Sequence, residues 1–284
     1  MPRKIVSLAL FGFSLVIVHG WACAQENAGG PKAVVEAAVK AELAAHDNDH
    51  TRWRYRDLHK DTNNSLYIVV ETDHGAVKRL VSQGGHALGG EEAQAEDARV
   101  QSFIHDHEKL AKQHKDGMQD DKNARELTTM LPTAFKWTIE SDDGEKVTLH
   151  FEPNPGFDPP DMQSRVLGTM AGKMVVDKKQ HRIMTISGRL TQDVTIGWGL
   201  LGRLREGGTF RVERREVAPG LWAITETHVH IEGKVLFFKN IGQQQDEVQT
   251  EFTQVPAGTT LEQAAVMTKL GSGASNGTTN ASVK

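Results

Sequence analysis

Residues 135–151 read FKWTIESDDGEKVTLHF, and this stretch decides the fold class. Phe135, Trp137 and Ile139 alternate with Lys136, Thr138 and Glu140, while Val147, Leu149 and Phe151 alternate with Thr148 and His150. A period of two gathers each apolar set on one face of an extended strand. Asp142-Asp143-Gly144 supplies turn residues between the two runs, so the stretch reads as a β-hairpin. Strands joined by so short a turn run antiparallel. The same texture continues towards the C-terminus. Strands are expected near 172–177, 182–191, 193–199, 209–217, 221–232, 234–240 and 246–254, separated by turn signals such as Asp177-Lys178, Gly207-Gly208 and Pro219-Gly220.

Upstream, Trp53 and Tyr55 alternate with Arg52, Arg54 and Arg56, and Leu66, Ile68 and Val70 alternate with Tyr67, Val69 and Glu71. Asp73-His74-Gly75 turns into a third strand over Ala76–Ser82. Ahead of them, Pro31 suits a first helical position, and Val35, Val39 and Leu43 predict a helix from Lys32 to about His46. The period changes again between Glu91 and about Lys115. Val100, Phe103, Ile104, His107, Leu110, Ala111 and His114 fall on one helical face, with Gly117 ending the helix. Asp120 or Asp121 caps a second helix that Pro132 stops after Leu131. Thr260-Leu261-Glu262-Gln263 has the pattern of a capping box before a short last helix. The resulting expectation is an α+β chain: one strongly curved antiparallel sheet, an unclosed β-barrel, with an N-terminal helix and a helical hairpin packed against one face.

The N-terminus carries an address. Arg3 and Lys4 precede an uncharged apolar stretch from Ile5 to Val18, and Ala22-Cys23-Ala24 places small residues where a signal peptidase reads. The expected organisation is a signal peptide over 1–24, a linker over 25–30, one domain over 31–270 and a Gly/Ser/Thr/Asn-rich disordered tail over 271–284. The protein is then exported, periplasmic or extracellular. Cys23 is the single cysteine. Unless it is retained as a lipid attachment point, the mature chain has no thiol for disulfides, nucleophilic catalysis or metal binding. Charged residues at 25% and hydrophobic residues at 38% exclude a multi-span membrane protein. A pI of 6.4 argues against a general nucleic-acid binder.

Few motifs carry chemistry. Gly197-Trp198-Gly199-Leu200-Leu201-Gly202 matches G-x-G-x-x-G, but the surrounding hairpins leave no helix to present backbone N–H groups to a phosphate. The glycines read instead as bends, with Trp198, Leu200 and Leu201 forming an apolar corner. His228, His230 and Glu232 alternate in a strand and can share a face, which makes them the best metal candidates; no further ligand can be nominated, and no metal or cofactor is assigned. His105-Asp106-His107 lies within the expected helix, where residues two apart point away from each other. No G-x-S-x-G, S-x-x-K or H-E-x-x-H is present. Glu91–Glu126 carries net charge -4 and Arg165–Glu216 net charge +6. Arg211, Arg214 and Arg215 can therefore give the sheet a basic zone facing anionic envelope material, unless the two zones neutralise each other. Val235-Leu236-Phe237-Phe238 and Met174-Val175-Val176 break the strand alternation, which suggests apolar cover on both faces.

A signal peptide, a leading helix, the short strands Trp53–Leu58 and Leu66–Thr72, a helical insertion and a long antiparallel run together resemble the outer-membrane lipoprotein-sorting, LolA/LolB-like superfamily. The resemblance is one of element order over about residues 30–255, and no functional residue transfers with it. It implies an unclosed barrel with helices plugging a hydrophobic cavity. The function so implied is an exported, non-catalytic carrier, a monomer binding a lipid or lipidated protein. Trp198, Leu200, Leu201 and Phe237 are the candidate cavity lining, nominated from their apolar character and not from the resemblance. The alternatives are a metal-dependent secreted hydrolase using His228, His230 and Glu232, and an envelope-interaction module using the basic zone.

Overall fold

The structure is a computed structural model that describes residues 29–196, 202–235 and 244–269. In chain order the elements are α1 (Pro31–Asn48), β1 (Trp53–His59), β2 (Ser65–Thr72), β3 (Gly75–Gln83), β4 (His86–Ala87), α2 (Gly90–Ile104), α3 (His107–Ala134), β5 (Phe135–Asp142), β6 (Lys146–Pro153), α4 (Met162–Leu167), β7 (Met170–Asp177), β8 (Ile183–Leu190), β9 (Val194–Ile196), β10 (Gly202–Leu204), β11 (Thr209–Ala218), β12 (Leu221–His230), β13 (Gly233–Val235), β14 (Gln245–Gln254) and α5 (Leu261–Met267). Among the described residues, eleven strands form one antiparallel sheet in the order β4-β3-β2-β1-β14-β12-β11-β8-β7-β6-β5, which does not close. The last strand, β14, returns to lie between β1 and β12 and so joins the N-terminal strands to the C-terminal run. A separate small sheet is built from β13, β10 and β9.

Helix length shows how far the sheet bends. Gln113 in α3 holds the backbone of Ala76 on β3, and the same helix runs directly into β5 at the opposite edge. That span is roughly 32 Å of helix at 1.5 Å per residue. The nine strand spacings from β3 to β5 would cover roughly 43 Å if flat. The sheet therefore curls into a half-barrel, with α3 as a chord between its edges. Two glycines ease the bend: Gly172 faces Gly188 across β7 and β8. A Cβ at Gly188 would lie 2.7 Å from Ala171 O and 2.9 Å from the ring of Phe210.

One row of directly paired residues crosses the sheet: Ser65, His59, Glu247, Thr227, Val212, Ile186, Met174, Leu149 and Ile139. Side chains in such a row share a face, and along it that face passes from polar to apolar. Its apolar half carries the main core, where Val35, Ala38 and Val39 of α1 pack on Leu149, Phe151 and Met174, all buried. On the other face, Val70 and Val77 pack with Val100 and Ile104 of α2 and Ala264 and Ala265 of α5. Helices thus cover both faces, not one. Two clusters of apolar residues on opposite sides of the sheet each need a partner, and α1 alone cannot wrap both. In β7, Met174 and Val176 are buried whereas Val175 is half-buried, so strand alternation persists and the apolar run there does not mean full cover on both faces.

The helical hairpin breaks elsewhere than its periodicity implies. Asp106 caps α3, its Oδ1 accepting the N–H of Lys109 at 3.0 Å, so the break falls at His105-Asp106. His107 and His114 are exposed on α3 and do not continue the packed stripe of α2. Gly117 ends nothing, no helix starts at Asp120 or Asp121, and Pro132 sits inside the last turn of a 28-residue helix. Between residues 114 and 122 α3 is exposed all round, a polar strut supported by pairs such as Lys112–Asp116 and Gln119–Asn123. No helix among the described residues is long and apolar enough to cross a membrane.

Edge strand β3 is closed by side chains, since β4 pairs only with its end. The Ala76 N–H donates to Gln113 Oε1 at 2.9 Å, and Gln113 Nε2 donates back to Ala76 O at 3.0 Å. The Leu80 N–H donates to Glu96 Oε1 at 2.7 Å, and Arg99 donates to Lys78 O. Outward-facing backbone groups that would otherwise template another strand are thereby occupied.

Candidate functional site

Two places on the row-bearing face combine accessibility with chemistry. The first is at its apolar end. Ala33, Val34 and Ala37 on the first turns of α1 stand over Ile139, Val147 and Val176 of the edge strands, around an open cleft of about 230 Å³. Asp142, Lys178 and His181 form its polar rim, where Lys178 Nζ lies 2.7 Å from both Asp142 oxygens. Ile139 is one of the few large apolar side chains left exposed, at 40%. Val147 and Val176 belong to the buried core set beneath α1, so the exposed apolar surface here is Ile139, which lies at the edge where α1 begins.

Farther along α1, an ionic clamp holds the helix down. Buried Glu42 accepts from Arg182 Nε and Nη2, both at 3.0 Å, and from the Ile183 N–H at 2.8 Å; Arg214 also donates to it. Burial opposes ionisation of Glu42. The hydrogen bond from Arg182 and the charge of Arg214 outweigh it and hold the carboxyl below its ordinary value.

The second place is the polar end of the same row. Asp57 and His59, two apart on β1, share a face with Trp53 and Tyr55, and β14 brings Glu247 opposite His59. His59 Nε2 is 2.8 Å from Asp57 Oδ2, and its Nδ1 is 3.1 Å from Glu247 Oε1. Lys78 reaches in from β3, its Nζ 2.7 Å from Asp57 Oδ2, 2.8 Å from His59 Nε2 and 4.4 Å from the centre of the Tyr67 ring. Burial raises the Asp57 carboxyl, but the His59 hydrogen bond and the Lys78 charge overcome it, so Asp57 titrates below its usual value. Neighbouring Tyr55 is pushed far up, first by burial and then by the charges of Glu71, Asp57 and Glu247. Among the described residues, Asp57, His59 and Glu247 form the one set of three imidazole or carboxylate groups whose ligand atoms lie within 4.8 Å of one another.

The candidates drawn from sequence fare unevenly. Trp198, Leu200, Leu201 and Phe237 lie outside the described residues. His228, His230 and Glu232 do not converge on a common point. His228 sits 3.2 Å from Glu226 and 2.9 Å from Asp246, while Glu232 is exposed beside Arg205. β12 ends at His230, so Glu232 falls outside the strand pleat that would have aligned all three. The basic residues are internally paired: Arg211 with Glu213, Arg214 with Glu42, and Arg215 with Glu213 and Glu226. His105, Asp106 and His107 occupy the break between α2 and α3 rather than a helix interior.

The Asp57–His59–Glu247 group was not found from sequence. One signal was available: the alternation of Trp53 and Tyr55 continues in phase through Asp57 and His59, placing two ionisable groups on an apolar-phase face. Nothing local shows that residue 247 lies opposite. No family model, curated protein or solved structure matches this chain.

Proposed function

We propose that this chain is an exported, non-catalytic binding protein that seats an acyl chain, from a lipid or a lipidated protein, in the apolar end of its half-barrel. The observation that carries the reading is the cleft beside α1, where a sheet left open at β5 keeps Ile139 exposed next to Ala33, Val34 and Ala37, over a floor of buried Val147 and Val176. Each methylene moved there from water contributes roughly 0.8 kcal/mol. A short length of tail is therefore held reversibly, as a carrier requires. The Lys178–Asp142 rim leaves the polar end of the ligand in water. The apolar stretch Ile5–Val18 and the small residues Ala22 and Ala24 support export.

The test is titration of the purified protein with a fluorescent fatty acid, competed with palmitate, alongside mass spectrometry of co-purifying lipid. Saturable, competable uptake that Ala37→Trp abolishes by filling the cleft is the expected result. Absence of uptake and of bound lipid, or uptake unchanged in Ala37→Trp, refutes the reading.

A further inference from the structure

We propose that Asp57 and His59 bind one divalent transition-metal ion of the zinc class, and that Lys78 is a tethered cation occupying the same position when the ion is absent. The geometry has three parts. Lys78 Nζ lies within 2.8 Å of both Asp57 Oδ2 and His59 Nε2, where a cation shared by the two would sit. The ammonium satisfies only one oxygen of Asp57: the other, Oδ1, is buried without a hydrogen-bond partner among the described residues, on a side chain 5% exposed. A buried carboxylate oxygen left so is costly, and a metal ion bound by both oxygens removes the deficit. On the far side of the ring, Glu247 at 3.1 Å from Nδ1 takes that N–H, so an ion arriving between Asp57 and His59 replaces the proton that Nε2 shares with Asp57. A carboxylate behind a ligating histidine is the usual support of a metal-bound imidazole.

An imidazole with a carboxylate suits zinc and its neighbours better than calcium or magnesium. Metal–ligand distances of ~2.0–2.1 Å separate tetrahedral ligands by about 3.3 Å, so the 2.8 Å gap between Asp57 Oδ2 and His59 Nε2 needs to open only slightly. Water completes the coordination. Lys78, whose side chain is 37% exposed, has solvent into which it can swing. The site stands apart from the acyl cleft, on β1 rather than at β5, and does not depend on that reading.

Cobalt(II), followed by visible absorption and calorimetry on the purified protein, tests this directly. One equivalent should bind the wild type. Lys78→Met should bind roughly tenfold tighter or more, because the ion no longer displaces an ammonium held by a charge-assisted bond to Asp57. Zinc should also raise the Tm of Lys78→Met more than that of the wild type. Glu247→Gln should weaken binding by about 10–100-fold, and His59→Ala should abolish it. No binding by Lys78→Met, or equal binding by His59→Ala, overturns the proposal. If Lys78→Met does not fold, the wild type and Glu247→Gln decide: one equivalent, weakened in the variant, supports the site, and no equivalent or no difference refutes it.

Discussion

Replacing Glu42 with alanine removes the carboxylate that joins α1 to the sheet. Four donors converge on it: two from Arg182, one from Arg214 and the Ile183 N–H. Arg182 is itself buried, with its side chain 9% exposed, and it lies over the Trp222 ring. Truncation leaves its guanidinium uncompensated, which costs about 3–5 kcal/mol for a buried pair. For a domain of this size, 1 kcal/mol corresponds to about 2–4 °C, so Tm should fall by roughly 6–20 °C. The pH dependence follows from the lowered pKa of Glu42. The unfolded group titrates near 4.5 and the folded group below it, so the stabilisation is complete above the unfolded value and is lost as pH falls through the folded one. Thermal melts of wild type and Glu42→Ala should show the full gap near neutral pH and a shrinking gap below about pH 4.5. A Tm change under about 2 °C, or a gap that stays constant into acid, would refute the clamp. Replacing all three partners with apolar residues of similar volume should be far milder than the single truncation, because no buried charge is then orphaned.

Three further outcomes follow from the fold. Gly117 lies in the exposed strut of α3 with open space around it, so Gly117→Ala should stabilise by about 1 kcal/mol in chemical denaturation; destabilisation would show that the helix does not run through it. Gln113→Ala should speed hydrogen exchange at the Ala76 amide and cost about 1 kcal/mol, whereas unchanged protection would mean that β3 is closed by something else. Gly188→Ala, whose Cβ meets Ala171 O at 2.7 Å and Phe210 at 2.9 Å, should cost about 1–3 kcal/mol by overpacking; a neutral variant would indicate a looser bend.

Local pattern made much of this fold legible and non-local pairing hid the rest. The hairpin of β5 and β6 and the strands β1 to β3 follow from their alternating residue pattern, although β2 is covered on both faces, with Ile68, Val69 and Val70 all buried. Thr260 caps α5 as its box implies, accepting from the Gln263 N–H at 3.2 Å. The hairpin of α2 and α3 misleads because a helical projection of the sequence continues the stripe through His107 and His114, whereas the chain breaks at His105-Asp106 and leaves both exposed. Asp106, a side chain that competes for backbone N–H groups, was the local clue. Gly117 survives inside α3 because Gln113 and Leu131 anchor the helix on either side. The bend at Gly172 and Gly188 and the clamp at Glu42 depend on partners far along the chain. So does the polar group at Asp57 and His59, completed only when β14 docks beside β1. The acyl cleft is similar: Ile139 reads as an ordinary inward strand residue, and only the end of α1 over an edge strand leaves it accessible.

A fatty acid carrying a spin label near the end of its tail tests the acyl-binding account most directly, with methyl resonances of the protein as the reporter. The account predicts broadening confined to Val34, Ala37, Ile139, Val147 and Val176, the side chains around the cleft. No broadening, or broadening spread over other apolar surfaces with these five unaffected, would contradict it.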